Sequence, residues 1–265
     1  MYVGMELAIY SLLQHNKNVN IYVFTMDIEV ARPDGCVVVY HKLGDWERNK
    51  LRAIVKIHDK NSNICFIDTK KFYMKYFNEG PNHISGFSPF APLRLLADVI
   101  LPYVNDILYL DADTAVTGDI SHIYNEYLTR DADYSAYFAP NACDGNGEMV
   151  SGVMLLNLAH IRKTGFLKNA RRNYMLRKYT YPDQDALRDA GTAERFPDTM
   201  GYCEDLYEFK GTPLIIHFTN KIGPKIYDEH TSREYFYTKY PFLKYVKDGV
   251  EAMDNYNFSL NGPSK

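Results

Sequence analysis

The stretch DILYLDADTAV, Asp106 to Val116, sets four consecutive apolar residues, Ile107 to Leu110, directly before two carboxylates one residue apart. A short apolar run bounded by turn residues reads as a buried strand. If extended geometry persists beyond Leu110, side-chain alternation points Asp111 and Asp113 the same way. Two such charges about 4 Å apart repel by roughly 4 kcal/mol at an effective dielectric near 20, so a positive group belongs between them. Open α/β sheets bind ligands at the carboxyl ends of parallel strands, which favours a divalent cation carrying a phosphate-bearing substrate. The competing reading makes both acids turn formers after a strand. An EF-hand loop is excluded, because its fifth and sixth positions would be Ala115 and Val116, where Asp or Asn and then Gly are needed. A phosphohydrolase of the haloacid dehalogenase type, with Asp111 as nucleophile, also follows a buried strand with D-x-D. Its Thr stands two places after the second Asp, whereas Thr114 follows Asp113 directly.

Outward from this strand, the pattern is α/β. Val3, Leu7 with Ala8, and Leu12 with Leu13 recur at helical spacing and open the chain with an amphipathic helix that ends near QHNKN. IYVFTM follows as a buried strand, and CVVVY and NICFID read as two more, separated by the charged helical segment DWERNKLRAIVKIH. A helix from about Pro92 to Ile100 leads into the acid-bearing strand. DYSAYFA and SGVMLLNL come next as strands, then a basic helix from about Ala159 to Arg177, and TPLIIHF as a last buried strand. Strands alternating with helices predict a mostly parallel central sheet flanked by helices, in a single domain.

The 265 residues carry 30 Lys and Arg against 33 Asp and Glu, a net charge of -3 with no basic footprint, so nucleic acid is not an expected partner. The four cysteines, Cys36, Cys65, Cys143 and Cys203, form no C-x-x-C pair, which argues against structural zinc and for reduced thiols in the cytosol. No apolar run reaches the length of a membrane span, and the first twenty residues lack the zones of a signal peptide. The expectation is a cytoplasmic protein with no transmembrane segment. Its aromatic and basic tail, REYFYTKYPFLKYVK, either packs on the domain as a helix or makes peripheral contact with a membrane surface.

Several further motifs share the chain with D-x-D. The run APLRLLADVILPYVNDILYLDADTAV, then SGVMLLNL, then DQDAL, then IIHF, resembles glycosyltransferase family eight, the family of glycogenin and the bacterial lipopolysaccharide galactosyltransferases, over roughly residues 1 to 227. The resemblance implies a GT-A fold, Rossmann-like, over residues 1–245 without the family's usual first strand, followed by a tail at 246–265. It implies retaining transfer of a hexose, galactose or glucose, from a UDP-sugar to a glycan or lipid-linked acceptor. The implied metal is Mn²⁺, with Mg²⁺ as the substitute, held by Asp111, Asp113 and the distant His217. The chemistry agrees, because two hard oxygens with one imidazole suit Mn²⁺ better than Mg²⁺.

The resemblance also assigns the donor site. Arg94 falls where the family keeps an Arg near the donor sugar and diphosphate, and its fork suits oxygen-rich ligands. Ala112 lies between the acids. Ser151 and Gly152 match a turn that brings backbone close to the sugar. Asp183 matches a carboxylate that holds sugar hydroxyls, Gln184 the amide beneath the anomeric carbon, and Asp185 a supporting acid. All three equally suit the first turn of a helix after Pro182. The chain departs from the family at three places. Met1 stands where a uracil-binding Tyr is expected, leaving Tyr2, one place late, to stack on the base. Val150 replaces an Asn before the Ser-Gly pair. Asn220 and Gly223-Pro224-Lys225 replace the closing motif, so Lys221 or Lys225 takes the basic role near the diphosphate. A third reading, a GT-A domain that binds nucleotide or glycan without turnover, follows from these departures.

Overall fold

The computed structural model describes residues 2–31, 34–77, 79–82, 87–127, 136–140, 149–191, 194–195, 202–203 and 213–218. The opening helix forms as α1, Tyr2–His15, but it is not amphipathic: Leu7, Ile9, Tyr10 and Leu13 are buried, and so are Glu6 and Ser11. β1, Asn20–Thr25, is followed by the short strands β2, Ile28–Ala31, and β3, Val37–Tyr40, and then by α2, Asp45–His58. In α2, Glu47 accepts from the Gly44 backbone N–H at 2.6 Å; acids open the helix and Lys56 and His58 close it, as its dipole favours. Leu51, Ile54 and Val55 supply its buried face. β4, Asn63–Asp68, then lies parallel to β1, from Asn20 opposite Asn63 to Thr25 opposite Asp68, with α2 in the crossover that parallel strands require. The CVVVY segment behaves differently from its neighbours. It pairs antiparallel with β2 as a hairpin and leaves Val37 and Val39 exposed, since among the described residues β2 is its one strand partner.

After α3, Lys70–Phe77, residues Ala91–Leu96 form a six-residue 3-10 helix that passes straight into α4, Ala97–Ile100. Sequence periodicity predicts an ordinary helix here. Pro92, at the helix start, suits the first turn of either helix form, so nothing local selects the tighter turn. The quoted stretch then resolves into β5, Asp106–Leu110, a turn through Asp111 to Asp113, and β6, Thr114–Val116. Extended geometry therefore stops at Leu110, and strand alternation is not what brings the acids together.

α5, Ser121–Tyr127, β7, Ala136–Pro140, and β8, Met149–Asn157, follow. β8 pairs antiparallel with β5 on one side and β7 on the other; its residues Val153 to Leu156 are fully buried, so the run is apolar on both faces. The expected single basic helix is two: α6, Leu158–Thr164, and α7, Phe166–Leu176. Gly165 separates them at φ 74, a left-handed cap conformation that glycine adopts without steric cost. α8, Pro182–Arg188, holds the DQDAL motif, and β9, Glu194–Arg195, β10, Tyr202–Cys203, and β11, Ile215–His217, complete the described elements. β9 runs parallel to β7, and β10 parallel to β11, while β11 runs antiparallel to β6. The α/β class holds, with parallel ladders at β1–β4, β7–β9 and β10–β11 and antiparallel ones around the acid-bearing strand. No helix among the described residues is long and apolar enough to cross a membrane.

Candidate active site

Asp113 and His217 are brought together by the β6–β11 ladder. Its register sets His217 opposite Thr114, the residue after Asp113, and the Phe218 N–H donates to the Asp113 carbonyl at 2.9 Å. Thr114 Oγ1 donates to the Asp111 carbonyl at 2.8 Å and fixes the turn between the acids. His217 Nε2 lies 3.3 Å from Asp113 Oδ1 and 3.6 Å from Asp111 Oδ2. One ligand atom from each of the three residues lies within 4.8 Å of the others. Two ligands at right angles, each about 2.1–2.2 Å from a shared ion, stand roughly 3 Å apart, so the spacing and the donor set both fit a divalent cation.

Arg94 stands behind this trio, 5 % exposed. Its Nη2 donates to both Asp111 oxygens at 2.8 and 3.0 Å, its Nη1 to Ser151 Oγ at 2.6 Å, and its Nε to the Ala91 carbonyl at 3.0 Å, with Asp183 Oδ2 at 3.2 Å. Ser151 Oγ also donates to Asp183 at 3.2 Å, and the Ser151 N–H donates to Gln184 Oε1 at 3.2 Å, which orients that amide. Two carboxylates, Asp111 and Asp183, thus face one guanidinium, and Asp113 beside Asp111 adds an excess of negative charge that a cation would balance. Burial pushes Asp111 above the ordinary carboxylate value, opposed by Arg94 and His217 and reinforced by Asp113. For Arg94, burial opposes the charge, but Asp111, Tyr109 and Asp183 outweigh it and hold the group above its usual value.

Two contributions are absent from the motif reading. Tyr109 donates to Asp111 Oδ1 at 2.7 Å and lies with its ring 5.0 Å from the Arg94 guanidinium carbon, so Asp111 is held from two sides. Its i, i+2 relation to Asp111 is the sequence signal that finds it. Gly152 serves His217 directly: a Cβ built there would meet His217 Cε1 at 2.2 Å. Asp185 shows a local role. It accepts from the Tyr181 N–H at 2.9 Å and pairs with Arg188 at 2.7 Å, capping α8.

Arg94, Asp111, Ala112, Asp113, Ser151, Gly152, Asp183, Gln184 and His217 all line one cleft of about 1890 Å³, which continues along β1 and β5 to the first turns of α1. Tyr2 begins α1, and its side chain is outside the described set; Lys221, Lys225 and the tail also lie outside the described residues.

The family model for glycosyl transferase family 8 matches residues 2–190. Among solved structures, the apo bifunctional glycosyltransferase WbbM is 15% identical, with 90% of this chain and 49% of that one covered and a TM-score of 0.61. The glycosyltransferase GlyE of Streptococcus pneumoniae TIGR4 is 18% identical, covering 99% and 62%, with a TM-score of 0.60. The galactosyltransferase LgtC, solved with donor and acceptor sugar analogues, is 15% identical, covering 83% and 94%, with a TM-score of 0.54. The chain thus spans about half the length of WbbM and nearly all of LgtC, and these likenesses establish a GT-A fold. A comparison with curated protein sequences finds no significant match. On the family model, the chain belongs to glycosyl transferase family 8.

Proposed function

We propose that this glycosyltransferase moves a hexose, galactose or glucose, from a UDP-sugar to a glycan or lipid-linked acceptor with retention of anomeric configuration. The observation that carries the reading is the convergence of Asp111, Asp113 and His217 within 4.8 Å, beside a buried Arg94. Those three residues would hold Mn²⁺, or Mg²⁺ in its place. The bound ion supplies Lewis-acid stabilisation of the negative charge that develops on the UDP leaving group.

The chain's own residues do the rest. Arg94 binds the donor's oxygens at the diphosphate and sugar, with Lys221 or Lys225 adding positive charge. Ser151, Gly152 and Asp183 place the sugar. Gln184, its oxygen oriented by the Ser151 N–H, faces the anomeric carbon and steadies its developing positive charge. An amide is a poor nucleophile, so the reading favours same-face attack, in which the departing phosphate takes the acceptor's proton, over an enzyme-linked sugar. The uridine lies along the cleft toward β1 and Tyr2. Residues 1–245 form the transferase domain in this reading, with a tail at 246–265 and action at the cytoplasmic side.

The test is UDP release from a UDP-sugar panel with glycan acceptors and Mn²⁺. Release is expected with UDP-galactose or UDP-glucose, lost on adding a chelator and restored by excess Mn²⁺. Binding of UDP with no turnover across the panel would instead mark a non-catalytic domain.

Metal binding also carries a pH signature. Because burial in the fold raises the Asp111 pKa above the ordinary carboxylate value, this group favours the metal-free fold below the unfolded value and loses that contribution as pH rises through the folded value. A cation binds the ionised carboxylate, so the two effects oppose each other. Mn²⁺ at about 100 times its Kd stabilises by about 2.7 kcal/mol, which at this chain length is a Tm rise of about 5–10 °C. That rise is expected to be full near neutrality and to shrink as the solution is acidified through the raised Asp111 pKa. A Mn²⁺-induced rise that is constant from neutral pH to pH 4 would count against Asp111 as a ligand.

A further inference from the structure

The aim of Arg94 depends on the phase of the helical turn that carries it. Ala91–Leu96 is 3-10 over six residues, longer than the three or four at which this weaker geometry usually stops. A 3-10 helix advances about 120° per residue and an α-helix about 100°. From Ala91 to Arg94 the two forms therefore differ by about 60°, enough to turn Arg94 away from Asp111 and Ser151. The segment passes directly into α4, so the choice of phase must be held at the junction.

Arg171, from the middle of α7, sits at that junction. Its Nη1 donates to the carbonyl of Leu95, the residue after Arg94, at 2.6 Å and to Asp98 Oδ1 at 2.5 Å; its Nη2 donates to Asp98 Oδ2 at 3.1 Å. Asp98 belongs to the first turn of α4. One planar fork therefore ties the last 3-10 turn to the first α turn. Both side chains are 8 % exposed, and the guanidinium stacks 5.2 Å from the Tyr76 ring. A buried ion pair is a poor source of stability, because desolvating two charges offsets most of their attraction. We propose that Arg171 and Asp98 are positioning residues for transfer, which fix the 3-10 phase of Ala91–Leu96 and so aim Arg94 at Asp111, Ser151 and Asp183. This rests on the proposed transferase reading for its effect on turnover, but the aim of Arg94 can be measured without it.

The experiment removes both charges together, Arg171→Met with Asp98→Leu, so that neither is left unpaired. The variant is expected to keep the native Tm or exceed it, while kcat/KM for UDP-sugar-dependent UDP release falls at least tenfold. In an Arg94→Met background the same pair of changes is expected to cost less than twofold, since its effect travels through Arg94. Native activity in the paired variant, or losses that add in the Arg94→Met background, would overturn the proposal. The Arg94 Nε–H resonance supplies the readout that needs no turnover: hydrogen-bonded to Ala91 in the native protein, it is expected to shift and exchange faster in the variant. An unchanged resonance overturns the proposal even if no donor is found, whereas a shifted resonance in a protein without UDP-sugar activity overturns only the transferase reading. If the paired variant does not fold, Arg171→Lys decides the matter. A lysine ammonium pairs with Asp98, but one nitrogen on a shorter stem cannot reproduce the two-armed hold in which Nη1 reaches Leu95 and Asp98 Oδ1 while Nη2 takes Asp98 Oδ2, so the same shift of the Arg94 resonance and a loss of at least threefold are expected, and native behaviour on both counts overturns the proposal.

Discussion

Asp113→Ala and His217→Ala are each expected to lower metal-dependent UDP release by about 10³-fold or more, about 4 kcal/mol of transition-state stabilisation. These two positions, and not Asp111, isolate the metal. Both Asp111 oxygens accept from Arg94, and one also accepts from Tyr109. Deleting that carboxylate would strip a buried guanidinium of its closest charged partner, and breaking a buried pair costs about 3–5 kcal/mol of stability. A loss of activity there would mix unfolding with chemistry. Asp113 and His217 stand on the far side of the trio, and removing either leaves the contacts of Arg94 with Asp111, Ser151 and Asp183 intact. Their stability is expected to fall by no more than about 2 kcal/mol, while the Mn²⁺-induced rise in Tm disappears. Asp185→Asn is the contrasting control. It weakens the cap of α8 by about 1 kcal/mol and is expected to leave metal dependence unaltered. Turnover within twofold of native in both Asp113→Ala and His217→Ala would remove the metal site from the reaction.

The sequence is legible where structure is set locally. The apolar run before the acids, the opening helix and α2 follow from side-chain spacing over one or two turns, and all three form where periodicity puts them. The break at Gly165 was also written locally, as a glycine at the end of a basic turn, but continuous helical periodicity on both sides hides it. The phase of Ala91–Leu96 was not legible. Pro92 marks a helix start in either geometry, and the group that holds the junction, Arg171, lies on a helix far along the chain.

The site shows the same division. Asp111 and Asp113 look like a pair by strand alternation, yet the strand ends at Leu110 and a turn intervenes. The turn that Thr114 anchors sets them together, and the pairing of β11 with β6 brings His217 to them. That ladder links segments about a hundred residues apart, a relation no local pattern encodes. The order of motifs in the family carried it instead. Asp185 shows the reverse: a motif position whose local role, capping α8, is the one the structure displays. Family membership sets aside the phosphohydrolase reading, and Asp111, gripped by Arg94 and Tyr109, is poorly placed for nucleophilic attack.

Gly152→Ala is expected to weaken Mn²⁺ binding at least about 100-fold, a loss of about 2.8 kcal/mol, although residue 152 offers no ligand atom of its own. A Cβ at this position would lie 2.2 Å from His217 Cε1, 2.5 Å from Nδ1 and 2.7 Å from Nε2. Carbon atoms rest at about 3.5–4.0 Å, so the overlap exceeds 1 Å and something must move. β8 resists, because the Gly152 carbonyl accepts from the Asp111 N–H at 2.8 Å and the next four residues are fully buried between β5 and β7. The β11 backbone resists as well, held by its ladder with β6 and by the bond from Phe218 to Asp113. The His217 side chain is left to rotate about its own torsions, which swings Nε2 away from Asp111 and Asp113. Overpacking of this kind costs about 1–3 kcal/mol, so the variant stays folded with a lowered Tm. If the damage runs through the ring, adding Gly152→Ala to His217→Ala does no further harm to Mn²⁺ affinity, since the smaller side chain leaves space for the methyl group. Native Mn²⁺ affinity in Gly152→Ala, or an added loss in the double variant, would show that the bare backbone at 152 serves something other than the imidazole.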